Sequence, residues 1–121
     1  MKFTCGIDIL EIDRIEEYIK EGGKTFLKNI FTDKEIAYCE LKKRKYQHYA
    51  ARFAAKEAVI KAISNLVNDK NIEYNRIEIT NNEYGKPLVN VLINIKQKVI
   101  IDLSISHSEK YAIANAIVYV I

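Results

Sequence analysis

The sequence predicts an α+β fold in which helices pack on a mainly antiparallel sheet. After one opening strand, helical patterns fill the first half of the chain, whereas alternating apolar and polar residues fill the second half. Helices first and strands later are typical of folds in which the two kinds of element are segregated. The length of 121 residues fits one domain, and we expect that domain to span residues 1–121.

The first half contains four predicted elements. Phe3, Ile7 and Ile9 lie on one face of an alternating stretch, which indicates a strand. The segment TDKE at 32–35 matches a capping box, which begins a helix, and the glycine pair at 22–23 is expected to end an earlier one. In order, we expect a strand over 2–12, a short helix over 14–20, a helix over 33–43 and a longer helix over 46–65.

The second half is strand-like, with turn residues between the strands. A loop is expected over 68–71. Gly85 closes a turn segment and can take a positive φ, and Pro87 is expected at the start or on the edge of the next strand because it cannot donate a ladder hydrogen bond. The expected strands cover 76–80, 86–93, 101–107 and 111–121.

Composition and charge limit the possible functions. With 49% hydrophobic and 29% charged residues, a soluble globular core is expected. The net charge of +3 suits an anionic substrate or an acidic partner as well as nucleic acid, and the pI of about 8.8 is below that of a dedicated nucleic-acid binder. No secretory signal or membrane-spanning apolar run is visible, so we expect a cytoplasmic protein with no membrane partner. Cys5 and Cys39 are expected to be reduced, buried thiols.

A carboxylate in the longest predicted helix is unusually placed. At 100° per residue, Glu57 falls on one stripe with Phe53 and Ile60, and Lys56 and Lys61 flank that stripe. A carboxylate on an apolar face must be paired, protonated or bound to a metal, because burying it alone is costly. Spacing alone favours an ordinary ion pair between Glu57 and Lys61 or Lys56.

A second carboxylate raises the same question in the first strand. Asp8 shares a face with Gly6 and Leu10, where an aspartate is unusual. Taken alone, Asp8 is better explained as a strand-end cap of backbone N–H groups. Two isolated carboxylates together with two lysines suggest a magnesium–phosphate site, because magnesium takes one or two protein carboxylates and fills its other positions with water and phosphates.

Four motifs, in this order, resemble those of the holo-acyl-carrier-protein synthases. The segment GIDILEIDRI at 6–15 is similar to the opening motif of that family, and RFAAKEAVIKA at 52–62 is similar to its second motif. GKP at 85–87 matches the family's turn, and SISH at 104–107 followed by YA at 111–112 matches its ending. The motifs span nearly the whole chain, and together at these spacings they are highly specific.

The resemblance implies a 4′-phosphopantetheinyl transferase-like fold. It also implies transfer of 4′-phosphopantetheine from coenzyme A to a serine of apo acyl carrier protein, in support of fatty acid biosynthesis. Asp8 and Glu57 would hold Mg²⁺, and Lys61 would neutralise the coenzyme A diphosphate, because such transfer depends mainly on positioning and charge stabilisation. Glu57 or a magnesium-bound water would accept the serine proton. Residues 63–65 read Ile-Ser-Asn where the family usually has a Gly-x-Gly loop, which changes the shape expected near the diphosphate.

The resemblance also assigns residues to the two substrates and to the assembly. Arg14 matches the position that meets the acidic carrier protein. A homotrimer with active sites between subunits is carried over from the family, and the strand at 111–121, apolar on both faces apart from Asn115, needs cover on both sides. The residues expected to contact coenzyme A are Arg52, Lys56 and His107 at its adenosine-phosphate end, Lys61 at its diphosphate, and Gly85 and Pro87 in the GKP turn.

Two other classes of protein compete with this interpretation. The basic run at 42–45 beside Tyr46 suits a small nucleic-acid-binding module, but a solvated helix end explains it better, and docking of an acidic carrier protein is the next explanation. A purely structural oligomer subunit would leave Asp8 and Glu57 unexplained. His107 follows the phase of the preceding strand, so a satisfied histidine at a core edge is the ordinary explanation for that residue. We expect no nucleic-acid partner.

Overall fold

The structure is a computed structural model, and it describes residues 2–67 and 71–121. The elements confirm the expected α+β class, and the described residues 71–121 after the third helix hold strands. In chain order they are β1 (Lys2–Glu11), α1 (Ile12–Ile30), α2 (Asp33–Glu40), α3 (Lys45–Val67), a 3₁₀ turn (Tyr74–Arg76), β2 (Ile77–Asn81), β3 (Pro87–Val91), β4 (Val99–His107) and β5 (Tyr111–Val120).

Two antiparallel sheets form the strand layer. The larger has the order β1-β5-β4, and the smaller is the β2-β3 hairpin. The register places Asp8 opposite Ala114, which in turn lies opposite Ile105. Because β5 is central, both neighbouring strands depend on it for their ladder hydrogen bonds.

Small residues let α3 lie directly on the inner face of the larger sheet. Ala112, Ala114 and Ala116 of β5 are buried there. Gly6 is the tightest point, since a Cβ built on it would lie 2.0 Å from the Ala58 carbonyl oxygen of α3. Only a glycine permits that approach, which brings the next inward residue of β1, Asp8, against the helix.

The opposite face of the larger sheet, here called the outer face, is apolar and open. Phe3, Ile7 and Ile9 are 64%, 59% and 61% exposed. The expectation that both cysteines are buried is therefore wrong for Cys5, which shares this face and is exposed, whereas Cys39 is buried. The alternation in β1 is real, but its more apolar side faces away from the helices.

Local sequence signals determine the start of α2 but not the end of α1. In α2 the capping box forms as expected, with the Thr32 N–H donating to Glu35 Oε1 at 2.8 Å. At Gly23 a φ of 58° breaks α1 where its end was expected, but the helix resumes and reaches Ile30. The resumed turns continue because Phe26, Leu27 and Ile30 pack on the second core cluster.

The remaining boundaries differ from the sequence predictions by a few residues. Gly85 has a φ of 82°, and Pro87 begins β3, both as expected. The loop expected over 68–71 lies largely outside the described residues. None of the described helices combines the length and apolarity needed to cross a bilayer.

Candidate functional site

Asp8 and Lys61 form one half of a polar site between β1 and α3. Lys61 Nζ lies 3.2 Å from Asp8 Oδ1 and donates a hydrogen bond to the Ile7 carbonyl at 2.9 Å. Burial raises the pKa of Asp8, the nearby Glu57 charge adds to that rise, and Lys61 opposes it. Asp8 is therefore paired with a lysine across two elements, not engaged as a strand-end cap.

Glu57 forms the other half, and its partner is a tyrosine. The Tyr74 hydroxyl donates a short hydrogen bond to Glu57 Oε1, and the Tyr74 ring stacks on Phe53 with centroids 5.2 Å apart. Burial is the main cause that raises the pKa of Tyr74 to about 12, and the Glu57 hydrogen bond adds to it. Among the described residues Glu57 makes no salt bridge, so the ordinary Glu–Lys helix pair expected from spacing is wrong.

The two carboxylates fit a magnesium ion better than a metal that needs many protein ligands. Within residues 2–67 and 71–121, no group of three or more histidine, cysteine, aspartate or glutamate side chains is placed to hold a metal. Asp8 and Glu57 come from adjacent elements, and they are close enough for the Glu57 charge to act on Asp8. Magnesium commonly uses one or two carboxylates and leaves the rest of its shell to water and phosphates.

Lys56 does not face this site. It is completely buried, its Nζ lies 2.5 Å from Glu35 Oε1, and it donates to the carbonyls of Tyr74 and Ile77. All three ammonium donors are thus satisfied inside the protein. The expectation that Lys56 contacts coenzyme A stays a prediction, and α3 turns this residue toward α2 and β2.

Arg52 anchors a positively charged cluster near the start of α3. Its guanidinium donates to Asn81 Oδ1 at 2.7 Å and lies 3.9 Å from the centroid of the Tyr38 ring, while its buried Nε has no partner among the described residues. Burial lowers the pKa of the nearby His48, and the charges of Arg52, Lys42 and His107 lower it further. Positive charges that converge on one residue in this way favour the binding of an anion.

The GKP turn is connected to this cluster through one side chain. Asn81 accepts the hydrogen bond from Arg52 and donates from its amide to the Gly85 carbonyl at 3.0 Å. Pro87 then begins β3 next to this turn. The structure therefore brings Arg52 and the turn together, as the sequence motifs suggest.

His107 lies apart from the carboxylate pair. His107 is exposed at the end of β4, with Nε2 3.2 Å from the Gln47 amide nitrogen. Gln47 precedes Glu57 by ten helical residues, a rise of about 15 Å. Arg14 is exposed in the first turn of α1.

Sequence reasoning missed Tyr74 and Glu35. Both act through tertiary contacts: Tyr74 reaches Glu57 across a loop, and Glu35 reaches Lys56 from α2. No local spacing pairs these residues, although the capping-box pattern already marked Glu35.

Residues 63–65 are helical, and Ser64 and Asn65 line a cavity of about 490 Å³ beside Lys61.

Residues 4–116 match the model of a protein family described as the 4′-phosphopantetheinyl transferase superfamily. The chain belongs to this superfamily. The resemblance drawn from the four sequence motifs is thereby confirmed, and with it the expected fold class. The match spans every element that builds the site.

Curated relatives and solved structures agree with that membership. The holo-[acyl-carrier-protein] synthase of Ruminiclostridium cellulolyticum is 43% identical, over 98% of this chain and 92% of its own length. The Clostridium tetani protein of the same name is 42% identical, over 98% and 96%. A Bacillus anthracis holo-(acyl-carrier-protein) synthase crystallised with CoA (3′,5′-ADP) superposes with a TM-score of 0.79 at 34% identity, covering 95% of this chain and 94% of its own.

Proposed function

We propose that this protein transfers 4′-phosphopantetheine from coenzyme A to a serine of apo acyl carrier protein, in support of fatty acid biosynthesis. The observation that carries the proposal is the carboxylate pair of Asp8 and Glu57 beside Lys61, in a chain of the 4′-phosphopantetheinyl transferase superfamily. Curated relatives at about 40% identity are named holo-[acyl-carrier-protein] synthases. Residues 1–121 act as one domain in this proposal.

In this proposal Asp8 and Glu57 hold Mg²⁺, which when bound supplies positive charge to the phosphates of coenzyme A. Lys61 adds a second point charge on the same side, because its ammonium is half exposed and already lies beside Asp8. The carrier serine must lose its proton on attack, and the Glu57 carboxylate, or a water that it orients, accepts that proton. The serine oxygen bonds to the β-phosphorus of coenzyme A, the bond from that phosphorus to the bridging oxygen breaks, and 3′,5′-ADP leaves.

The cationic cluster suits the adenosine-phosphate end of coenzyme A. Arg52 is only 4% exposed and is held by Asn81 and Tyr38, so its charge is fixed before a ligand binds and little entropy is lost on binding. His107 lies near the first turns of α3, beside Gln47. Gly85 and Pro87 border the same cluster through Asn81. The acidic carrier protein is proposed to dock at Arg14 on the exposed side of α1.

The most direct test is mass spectrometry of an apo carrier protein incubated with this protein, coenzyme A and Mg²⁺. The carrier should gain the mass of one phosphopantetheine group, and it should not do so with EDTA present. If several apo carriers gain no mass with folded enzyme, the proposal fails. Salt-sensitive binding to random oligonucleotides without transfer would favour a nucleic-acid-binding module instead.

We further propose that the protein is a homotrimer with active sites between subunits. The outer face supports assembly, because a large exposed apolar surface marks an interaction site. Glu57 lies about 15 Å along α3 from Gln47, the residue that contacts His107. This separation leaves room for residues of a second subunit in each site. A cytoplasmic location is part of the proposal, since the free thiols of Cys5 and Cys39 suit a reducing compartment.

Subunit mixing tests the shared site. Chains with Glu57→Ala or His107→Ala should each be inactive or very weak alone. Co-refolded mixtures should regain activity if the two residues come from different subunits. A monomeric mass in solution would refute the assembly, and mixed trimers without regained activity would refute only the shared-site geometry.

A further inference from the structure

We infer that Tyr74 is a positioning residue for Glu57, and that the buried Lys56 holds Tyr74 in place to do so. This inference rests on the proposed function, because it assigns a role within the same site. The motifs that resemble the synthase family do not include Tyr74. Tyr74 makes three contacts with neighbouring turns of α3.

The three contacts restrain Tyr74 at its backbone, its ring and its hydroxyl. Lys56 Nζ donates to the Tyr74 carbonyl at 3.0 Å. Phe53 stacks on the ring at an interplanar angle of 29°. The hydroxyl donates to Glu57 Oε1. Positions 53, 56 and 57 lie on adjacent turns of α3. The three contacts therefore hold Tyr74 against the same helix that carries Glu57.

Lys56 is itself held in place by buried partners, so its contact with the Tyr74 carbonyl is restrained. Its ammonium also contacts Glu35 Oε1 and the Ile77 carbonyl, and neither Lys56 nor Glu35 has appreciable exposure. The other Glu35 oxygen, Oε2, accepts from the Ile79 N–H at 2.7 Å, which joins α2 to β2. A fully satisfied buried network of this kind rigidifies the groups attached to it.

A hydroxyl is a suitable group to orient a metal-binding carboxylate. A lysine in its place would neutralise the negative charge that Glu57 offers to a cation, whereas the neutral hydroxyl of Tyr74 leaves that charge intact. Tyr74 engages only Oε1, and no donor lies on Oε2 among the described residues. Groups that orient metal ligands in this way typically contribute about 10–100-fold to metal affinity or activity.

The test is Tyr74→Phe, which keeps the ring and the backbone contact and removes only the hydroxyl. The matched control is Tyr49→Phe in α3, the helix that carries Glu57. Tyr49 is fully buried and its hydroxyl donates to Glu40 Oε2 at 2.7 Å, so this control also loses one tyrosine–carboxylate hydrogen bond, but away from the site. Mn²⁺ binding to the free protein is measured by electron paramagnetic resonance, and kcat and KM for coenzyme A are measured at several Mg²⁺ concentrations.

Tyr74→Phe should weaken Mn²⁺ binding about 10–100-fold and raise the Mg²⁺ concentration needed for half-maximal kcat by a similar factor, with the KM for coenzyme A at saturating Mg²⁺ changed far less. Tyr49→Phe should leave Mn²⁺ binding within about twofold of the parent protein even where its melting temperature falls. Metal binding and kinetics of Tyr74→Phe within twofold of the parent would overturn the inference and leave the proposed function intact. Equal losses of metal binding in both variants would also overturn it. A parent protein without transfer activity would overturn the proposed function itself, and this inference with it.

Discussion

Replacing Gly6 with alanine should destroy the site while leaving most of the fold in place. The added Cβ would lie 2.0 Å from the Ala58 carbonyl oxygen and 3.0 Å from the Ala62 nitrogen. Ordinary contact begins at 3.4 Å, so β1 and α3 must separate locally by about 1.4 Å, the difference between 3.4 and 2.0 Å. Overpacking of this kind costs about 1–3 kcal/mol.

The same displacement would reach the polar site. Asp8 lies two residues beyond Gly6 on the same face of β1, with its Oδ1 3.2 Å from Lys61 Nζ. A shift of about 1 Å in a catalytic group can lower the rate on the order of 100-fold. Gly6→Ala should therefore lose transfer activity and metal affinity far more than its moderate loss of stability would explain.

A second glycine provides the control for this experiment. Gly23 has a φ of 58° and a ψ of −146°, and a Cβ built on it meets no atom within 4 Å. Gly23→Ala should cost about 1–3 kcal/mol through backbone strain alone. Both variants should melt several degrees lower in a thermal scan, but only Gly6→Ala should lose Mg²⁺-dependent transfer. A Gly6→Ala protein with the activity and melting temperature of the parent would refute the close-approach argument.

Four further predictions concern the site, the docking residue Arg14 and the two thiols. Asp8→Ala and Glu57→Ala should each abolish transfer in the mass-spectrometric assay while circular dichroism stays unchanged, and near-normal activity in Glu57→Gln would contradict the metal role. Arg14→Glu should weaken carrier binding much more than coenzyme A binding in calorimetric titrations, because it sets a like charge against an acidic partner; equal losses would move the docking site elsewhere. At pH 8 Cys39 should resist a thiol reagent, since burial raises its pKa to about 12 and the thiolate is the reactive form. Cys5 should react in dissociated chains but not in the proposed trimer, and reaction at equal rates in both would show that the outer face is not the interface.

Local sequence signals predicted the elements well because each is a short-range effect. The capping box at Thr32 and Glu35 depends on residues three apart, and the turn at Gly85 depends on the backbone freedom of one residue. Such patterns do not need the rest of the fold. The break in α1 at Gly23 was predicted for the same reason, whereas the resumed helix to Ile30 was not, because it depends on packing against a distant core.

The partners of charged residues could not be predicted from spacing. Helical periodicity placed Glu57 between two core-type residues and named Lys56 and Lys61 as candidate partners. In the fold, Lys61 pairs with Asp8 and Lys56 pairs with Glu35. Glu57 accepts a hydrogen bond from Tyr74 instead. Adjacent residues on a helix point about 100° apart, and only the tertiary arrangement determines which layer each one meets.

The central position of β5 has a consequence for how the chain is made. Lys2 pairs with Val120, so β1 finds its partner only after β5, far along the chain, has been synthesised. Until then β1 has no neighbour in its sheet, because β4 pairs with β5 and not with β1. Pairing between residues so far apart in sequence is slow, and a growing chain meanwhile exposes an unpaired edge with Phe3, Ile7 and Ile9 on it. Deleting β5 would therefore separate β1 from β4 entirely, because each of them pairs with β5 and not with the other.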